Sequence, residues 1–132
     1  MHGGGNYWLS TLLIDEDAMA KSVRGGRKAL LSVEDGKSSP TEILEALRAF
    51  NAEGRPIWKP MHLQPMYRGN EFVTVAGRTR GNSDAYIDHG KSVEVTTDIF
   101  NRGLCLPSDN KQTTEQAEII IEVVKRCFES KL

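Results

Sequence analysis

Long hydrophobic runs are lacking in this chain of 132 residues, and no stretch approaches the roughly 20 apolar residues that a membrane helix needs. The opening residues, MHGGGNYW, also lack the basic and apolar regions of a signal peptide. Neither sign of charge dominates, because 17 basic and 18 acidic residues give a net charge of -1. This balance predicts no broad attraction to nucleic acid or anionic membranes, and we expect a cytoplasmic protein.

Cysteine is scarce as well. The two cysteines, Cys105 and Cys127, are 127 − 105 = 22 positions apart, outside any CxxC pattern and without a nearby histidine pair. We therefore expect no metal site, and the simplest interpretation is two buried free thiols. The hydrophobic fraction of 39% and the charged fraction of 27% are ordinary for a globular protein of one domain.

The pattern of apolar residues predicts short strands mixed with helices, without regular alternation. We predict strands over residues 7–14, 28–33, 57–59 and 104–106, and loops over 18–27 and 69–94. Helices are predicted to begin at the caps Ser39, Thr97 and Thr113, with Gly54 and Gly103 ending the first two. This order indicates a two-layer α+β fold, with helices packed on a short, mainly antiparallel sheet. Residues 1–132 are expected to form one small domain with an irregular insertion at 69–95.

The first and last predicted helices each carry a start signal and an apolar face. Ser39 is followed by a proline in the first turn and by Glu42, and Thr113 forms a capping box with Gln116. The faces expected to cover the sheet are Ile43, Leu44, Leu47 and Phe50 in the first helix and Ala117, Ile120, Ile121, Val124, Cys127 and Phe128 in the last.

The segment Arg55 to Pro65, RPIWKPMHLQP, concentrates side chains that can hold a ligand. Its candidate site residues are Arg55, Trp58, Lys59, His62 and Gln64. The two cations suit phosphate, the indole can stack on a base or a sugar, and the last two side chains can form hydrogen bonds. Three prolines stiffen the segment and lower the entropy cost of presenting these groups. The alternative is a proline-rich connector whose tryptophan belongs to the core.

Three blocks of the chain resemble the C-terminal part of the DegT/DnrJ/StrS aminotransferases, in the order of that family. They are Asn6 to Asp15 (NYWLSTLLID), Arg55 to Pro65, and Ile99 to Ser108 (IFNRGLCLPS) with the helix after it. The WKPMHLQP form looks most like the branch that acts on nucleotide-linked 4-keto sugars for bacterial glycan synthesis. The resemblance covers nearly the whole chain, apart from two apparent insertions at 18–38 and 69–95.

The resemblance implies the small domain of a fold type I aminotransferase that works as a homodimer. Such enzymes hold pyridoxal phosphate on a lysine of a large N-terminal domain and pass an amino group, commonly from glutamate, to a ketosugar. The small domain covers one side of the cleft. By position, Trp58, Lys59, His62 and Gln64 would contact the nucleotide sugar, and Arg55 is a weaker candidate. No lysine here matches the cofactor motif, so we expect an inactive fragment that binds no cofactor and has no catalytic residue.

Two other functions fit the residues. One is a freestanding binding module for a nucleotide or phosphorylated ligand, centred on Arg55, Trp58 and Lys59. The other is a protein-interaction domain, in which a surface that meets the large domain of a complete enzyme drives self-association.

Overall fold

A computed structural model describes residues 8–25, 28–31, 34–67 and 95–129. The chain separates into two compact units, one formed by residues 1–57 with 102–132 and the other by residues 58–101. The predicted insertion at 69–95, which includes the loop predicted over 69–94, lies outside the described residues except for its last residue. Within those residues, no helix has the length and apolar character needed to cross a bilayer.

The first unit is built on a small antiparallel sheet. Its strands are β1 (Thr11–Leu13), β4 (Arg55–Pro56) and β5 (Gly103–Cys105), with β5 in the centre and the other two at the edges. In this register Leu12 lies opposite Leu104, and Pro56 lies opposite the same residue on the other side. Because β4 is an edge strand, a proline without a backbone donor is tolerated there.

A separate hairpin, β2 (Ser22–Gly25) with β3 (Lys28–Leu31), follows β1 in the chain. The strand prediction at 28–33 is thus confirmed in its first part, whereas the loop or frayed helical turn predicted over 18–27 is wrong at Ser22–Gly25, where β2 lies. The two strands stabilise each other through backbone hydrogen bonds, and the composition of one segment alone does not predict such pairing. The strand predicted at 57–59 is also misplaced, since β4 ends at Pro56.

The described residues contain three α-helices: α1 (Pro40–Ala49), α2 (Val95–Arg102) and α3 (Thr114–Arg126). The predicted start of α1 is confirmed, because Ser39 Oγ accepts a hydrogen bond from the Glu42 backbone at 3.2 Å. The capping box of α3 is confirmed too, with Gln116 N donating to Thr113 Oγ1 at 3.3 Å. The predicted cap Thr97 is wrong, since α2 begins two residues earlier and Thr97 lies inside it.

The core of this unit lies where α1 and α3 cover the sheet. Ile43, Leu47 and Leu104 have no exposed surface at all. The remaining members of the cluster are Ile14, Ile120, Val123 and Cys127. Fully burying one such aliphatic side chain contributes about 1.5–3 kcal/mol, so this cluster dominates the stability of the fold. The predicted α+β architecture with helices on an antiparallel sheet is confirmed.

The predicted faces were too wide. Phe50 and Ile121 are 62% and 50% exposed, whereas Val123, which was not assigned to the face, is buried. The small sheet offers only a narrow strip of apolar surface, so residues at the margin of each helical face remain in solvent.

The end of α1 is set by Asn51 and not by the predicted stop, Gly54. Asn51 takes a left-handed backbone conformation with φ of 59°, which asparagine tolerates. At Gly54 the backbone instead passes close to neighbouring atoms. A Cβ added there would lie 2.7 Å from Leu44 Cδ2 and 3.1 Å from the Cys105 carbonyl oxygen. Glycine is therefore required for packing of the chain between α1 and β5.

Candidate functional site

The candidate segment folds into two consecutive turns of 3-10 helix, Met61–Leu63 and Pro65–Tyr67. Leu63 N donates to the Pro60 carbonyl at 3.0 Å, and the side chain of Leu63 is 4% exposed. The prolines and these short turns fix the backbone on which the polar candidates stand.

Trp58 is 63% exposed, so the alternative that placed it in the core is wrong. Met61 and Met66, in the same segment, are 58% and 74% exposed. Three large apolar side chains within nine positions of one segment therefore lie largely in solvent. Exposed apolar surface of this kind is typical of sites that receive a ligand or a partner.

His62 connects the first turn to α2 within the same unit. Its Nε2 lies 3.3 Å from Thr97 Oγ1, and the histidine is half-buried. A hydroxyl can either donate to a neutral imidazole or accept from it, so this contact fixes the ring orientation in both tautomers. A ring whose orientation is already fixed loses little entropy when a ligand binds beside it.

Gln64 supports the segment from within. Its Nε2 donates to the Lys59 carbonyl at 3.3 Å and lies 3.3 Å from Met61 Sδ. The amide thus holds the backbone beside Lys59, whose side chain is exposed. Four of the five predicted residues, Trp58, Lys59, His62 and Gln64, therefore lie in one short braced segment of the second unit.

Arg55 lies in the first unit, on β4, and forms an ion pair with Glu53. Both side chains are more than 70% exposed (73% and 74%), so this pair contributes little to stability. Arg55 lines a depression of about 550 Å³ beside the C-terminal half of α1. Its assignment to the same site as the other four residues stays a prediction.

A larger cleft, of about 880 Å³, was missed by the sequence reasoning. It lies beside the loop between β5 and α3, and its lining includes Trp8, Asp109, Asn110 and Gln112. Trp8 is 67% exposed. The signal was faint because these polar residues are ordinary loop residues and the tryptophan lies about 100 positions before them (109 − 8 = 101).

The predicted buried thiols are confirmed, because Cys105 and Cys127 are both free and buried. Burial also raises the pKa of the Cys105 thiol. A raised pKa keeps the less reactive thiol form at neutral pH, as expected for a structural cysteine.

Pyridoxal phosphate requires a lysine inside a cleft, and the two clefts above, as lined by the residues that the structure describes, do not provide one. Neither the 880 Å³ cleft nor the 550 Å³ depression has a lysine among its lining residues. Lys37 forms an ion pair with Glu34 at 2.7 Å. These clefts therefore do not fit the cofactor.

Comparison with curated proteins finds similarity to EpsN of Bacillus subtilis (strain 168), a provisionally assigned pyridoxal phosphate-dependent aminotransferase. The two are 29% identical over 126 residues. This chain is similar to an aminotransferase. The match covers 96% of this chain and 24% of EpsN, so the chain spans about a quarter of that relative's length. No protein-family model matches the chain, and no solved structure gives a match.

Proposed function

We propose that this chain is the substrate-covering small domain of a larger pyridoxal phosphate-dependent aminotransferase, and that it is inactive alone. The observation that carries the proposal is the match to EpsN, which extends over 96% of the chain while leaving about three quarters of EpsN unmatched. The α+β architecture supports it. Its protein partners would be a large N-terminal domain that holds the cofactor and a second subunit of a cytoplasmic homodimer.

The proposed substrate is a nucleotide-linked 4-keto sugar for bacterial surface glycans, with glutamate as the amino donor. The support comes from the chemistry of the braced segment. Trp58 offers an exposed indole for stacking on a base or a sugar, and Lys59 beside it offers a cation for phosphate. His62, oriented by Thr97, is a further polar candidate. Gln64 positions the backbone near Lys59.

The role of the cofactor in such an enzyme is to serve as an electron sink for the transfer of the amino group. Because the two clefts described in the first unit have no lysine in their lining, this chain would carry no chemical step of the transfer itself. Its contribution would be to bind and orient the sugar nucleotide and to keep water from the cleft.

A titration with a UDP-sugar, followed through backbone amide NMR shifts, tests the substrate proposal. We expect weak binding at millimolar ligand, with shifts concentrated at residues 58–67, because only one wall of the site is present. Trp58→Ala and Lys59→Ala should each reduce the shifts at least several-fold. Lys111→Ala, an exposed lysine outside the segment, is the matched control. Shifts that avoid residues 58–67, or that survive both substitutions, would contradict the proposal.

A second experiment tests where the cofactor belongs. The chain is incubated with pyridoxal phosphate, reduced with borohydride and digested for mass spectrometry. We expect only scattered, low-level modification of exposed lysines. A single lysine modified in near-stoichiometric yield would show that this chain carries a cofactor site.

The second candidate function, a freestanding module for a nucleotide or phosphorylated ligand, rests on the same exposed Trp58 and Lys59. Such a module would bind its ligand more tightly than a fragment would, because its site would be complete without another domain. Saturable binding in the micromolar range, corresponding to about −8 kcal/mol, would favour the module over the fragment.

A further inference from the structure

The cleft beside Trp8 plays no part in the proposed function. It has a volume of about 880 Å³, within the range of small-molecule sites, and lies wholly in the first unit. Its lining includes the apolar residues Leu106, Pro107 and Ile121 together with polar residues of the loop before α3. A largely apolar lining with a few polar groups is typical of ligand sites.

The loop that forms the polar edge is held in place by its own hydrogen bonds. Ser108 Oγ accepts from Ser10 N at 2.9 Å and donates to the Leu106 carbonyl at 3.1 Å, which ties the loop to the chain before β1. Asp109 Oδ1 accepts from Lys111 N at 3.0 Å. A loop fixed in this way loses little conformational entropy when a ligand binds.

The charges at the cleft argue against an anion. At the start of α3, two backbone N–H groups already have partners, because Thr113 N donates to Gln116 Oε1 at 3.0 Å and Gln116 N donates to Thr113 Oγ1. Among the described residues that line the cleft, Asp109 alone is charged, and it is negative. A phosphate would therefore be repelled by this carboxylate.

We propose that this cleft binds a neutral sugar. The exposed indole of Trp8 would pack against the apolar face of a pyranose ring. Asn110 and Gln112 each offer both a donor and an acceptor, and Asp109 offers acceptors, which is the complement that vicinal hydroxyl groups require. The site is independent of the proposed function, because the braced segment at 58–67 selects a charged nucleotide and this cleft selects against one.

The two tryptophans of the chain, Trp8 and Trp58, allow the two sites to be observed separately. In Trp58→Phe, the emission of Trp8 is followed while free glucose or N-acetylglucosamine is added. We expect a saturable change in emission with a dissociation constant in the millimolar range. In Trp8→Phe, where Trp58 reports, the same sugars should cause no saturable change.

Substitutions in the loop supply the second measurement. Gln112→Ala in the Trp58→Phe background should weaken sugar binding at least five-fold, whereas Lys111→Ala, whose side chain does not line the cleft, should leave it unchanged. Circular dichroism checks that each variant folds. No saturable change in Trp8 emission, or an equal loss in both loop variants, would overturn the proposal. A stronger response of Trp8 to UDP than to the free sugar would overturn its neutral character.

Discussion

The core of the first unit and the braced segment of the second use apolar side chains in opposite ways. Ile43, Leu47 and Leu104 are completely buried, whereas Trp58 and Met61 are 63% and 58% exposed. Burial of the first group stabilises the fold, while exposure of the second leaves surface available for a ligand. The comparison indicates that stability and recognition are separated in this chain, so that substitutions can change one with little effect on the other.

The largest expected effect is in the core. Leu47→Ala should lower the free energy of unfolding by about 2–5 kcal/mol, because it removes buried methyl groups and leaves a cavity. Phe50→Ala, three positions further along, is the matched control and should change stability by less than about 0.5 kcal/mol, since Phe50 is 62% exposed. Denaturation by urea measures both. Equal losses would mean that Phe50 belongs to the core.

The next effect in size is expected at Gly54. Gly54→Ala places a Cβ 2.7 Å from Leu44 Cδ2 and should cost about 1–3 kcal/mol through overpacking. Gly36→Asn is the control, because Gly36 has φ of 76° but open space around it, and asparagine tolerates that conformation. Thermal unfolding compares the two. If Gly54→Ala unfolds at the same temperature as the parent, the space between α1 and β5 can widen to accept a methyl group.

A smaller loss is expected at the start of α3. Thr113→Ala removes the side-chain half of the capping box and should cost about 1 kcal/mol. The neighbouring Thr114→Ala, outside the capping box, should change stability by less than about 0.5 kcal/mol. If both variants unfold at the same urea concentration as the parent, the capping box contributes nothing measurable to the fold.

The sequence predicted those features that depend on neighbouring residues. The caps Ser39 and Thr113 were identified from the residue types that follow them, and each accepts a hydrogen bond from the backbone three positions later. It failed where a distant residue decides the structure. Gly54 resembles a helix stop, yet its role depends on the Cys105 carbonyl some 50 positions away (105 − 54 = 51).

The same division holds for the candidate sites. Trp58, Lys59, His62 and Gln64 were found because they are close in sequence and lie between prolines. The contact of His62 with Thr97 and the cleft beside Trp8 both join residues that are far apart in the chain. Local composition carries no information about such pairs, so they could be recognised only from the fold.

The smallest effect on global stability, and the sharpest test of the comparison, is expected at the contact between His62 and Thr97. Thr97→Val preserves shape and removes the hydroxyl that lies 3.3 Å from His62 Nε2. Global stability should change by about 1 kcal/mol or less, because a half-buried hydrogen bond contributes little net free energy. Amide hydrogen exchange at residues 61–67 should nevertheless become several-fold faster, and UDP-sugar binding should weaken.

Thr96→Val, at an exposed neighbouring position, is the control. If Thr97→Val instead destabilised the core as much as the segment, the separation of stability from recognition would be wrong. Faster exchange confined to residues 61–67 would mean that the braced segment is an independent element whose order depends on its own hydrogen bonds.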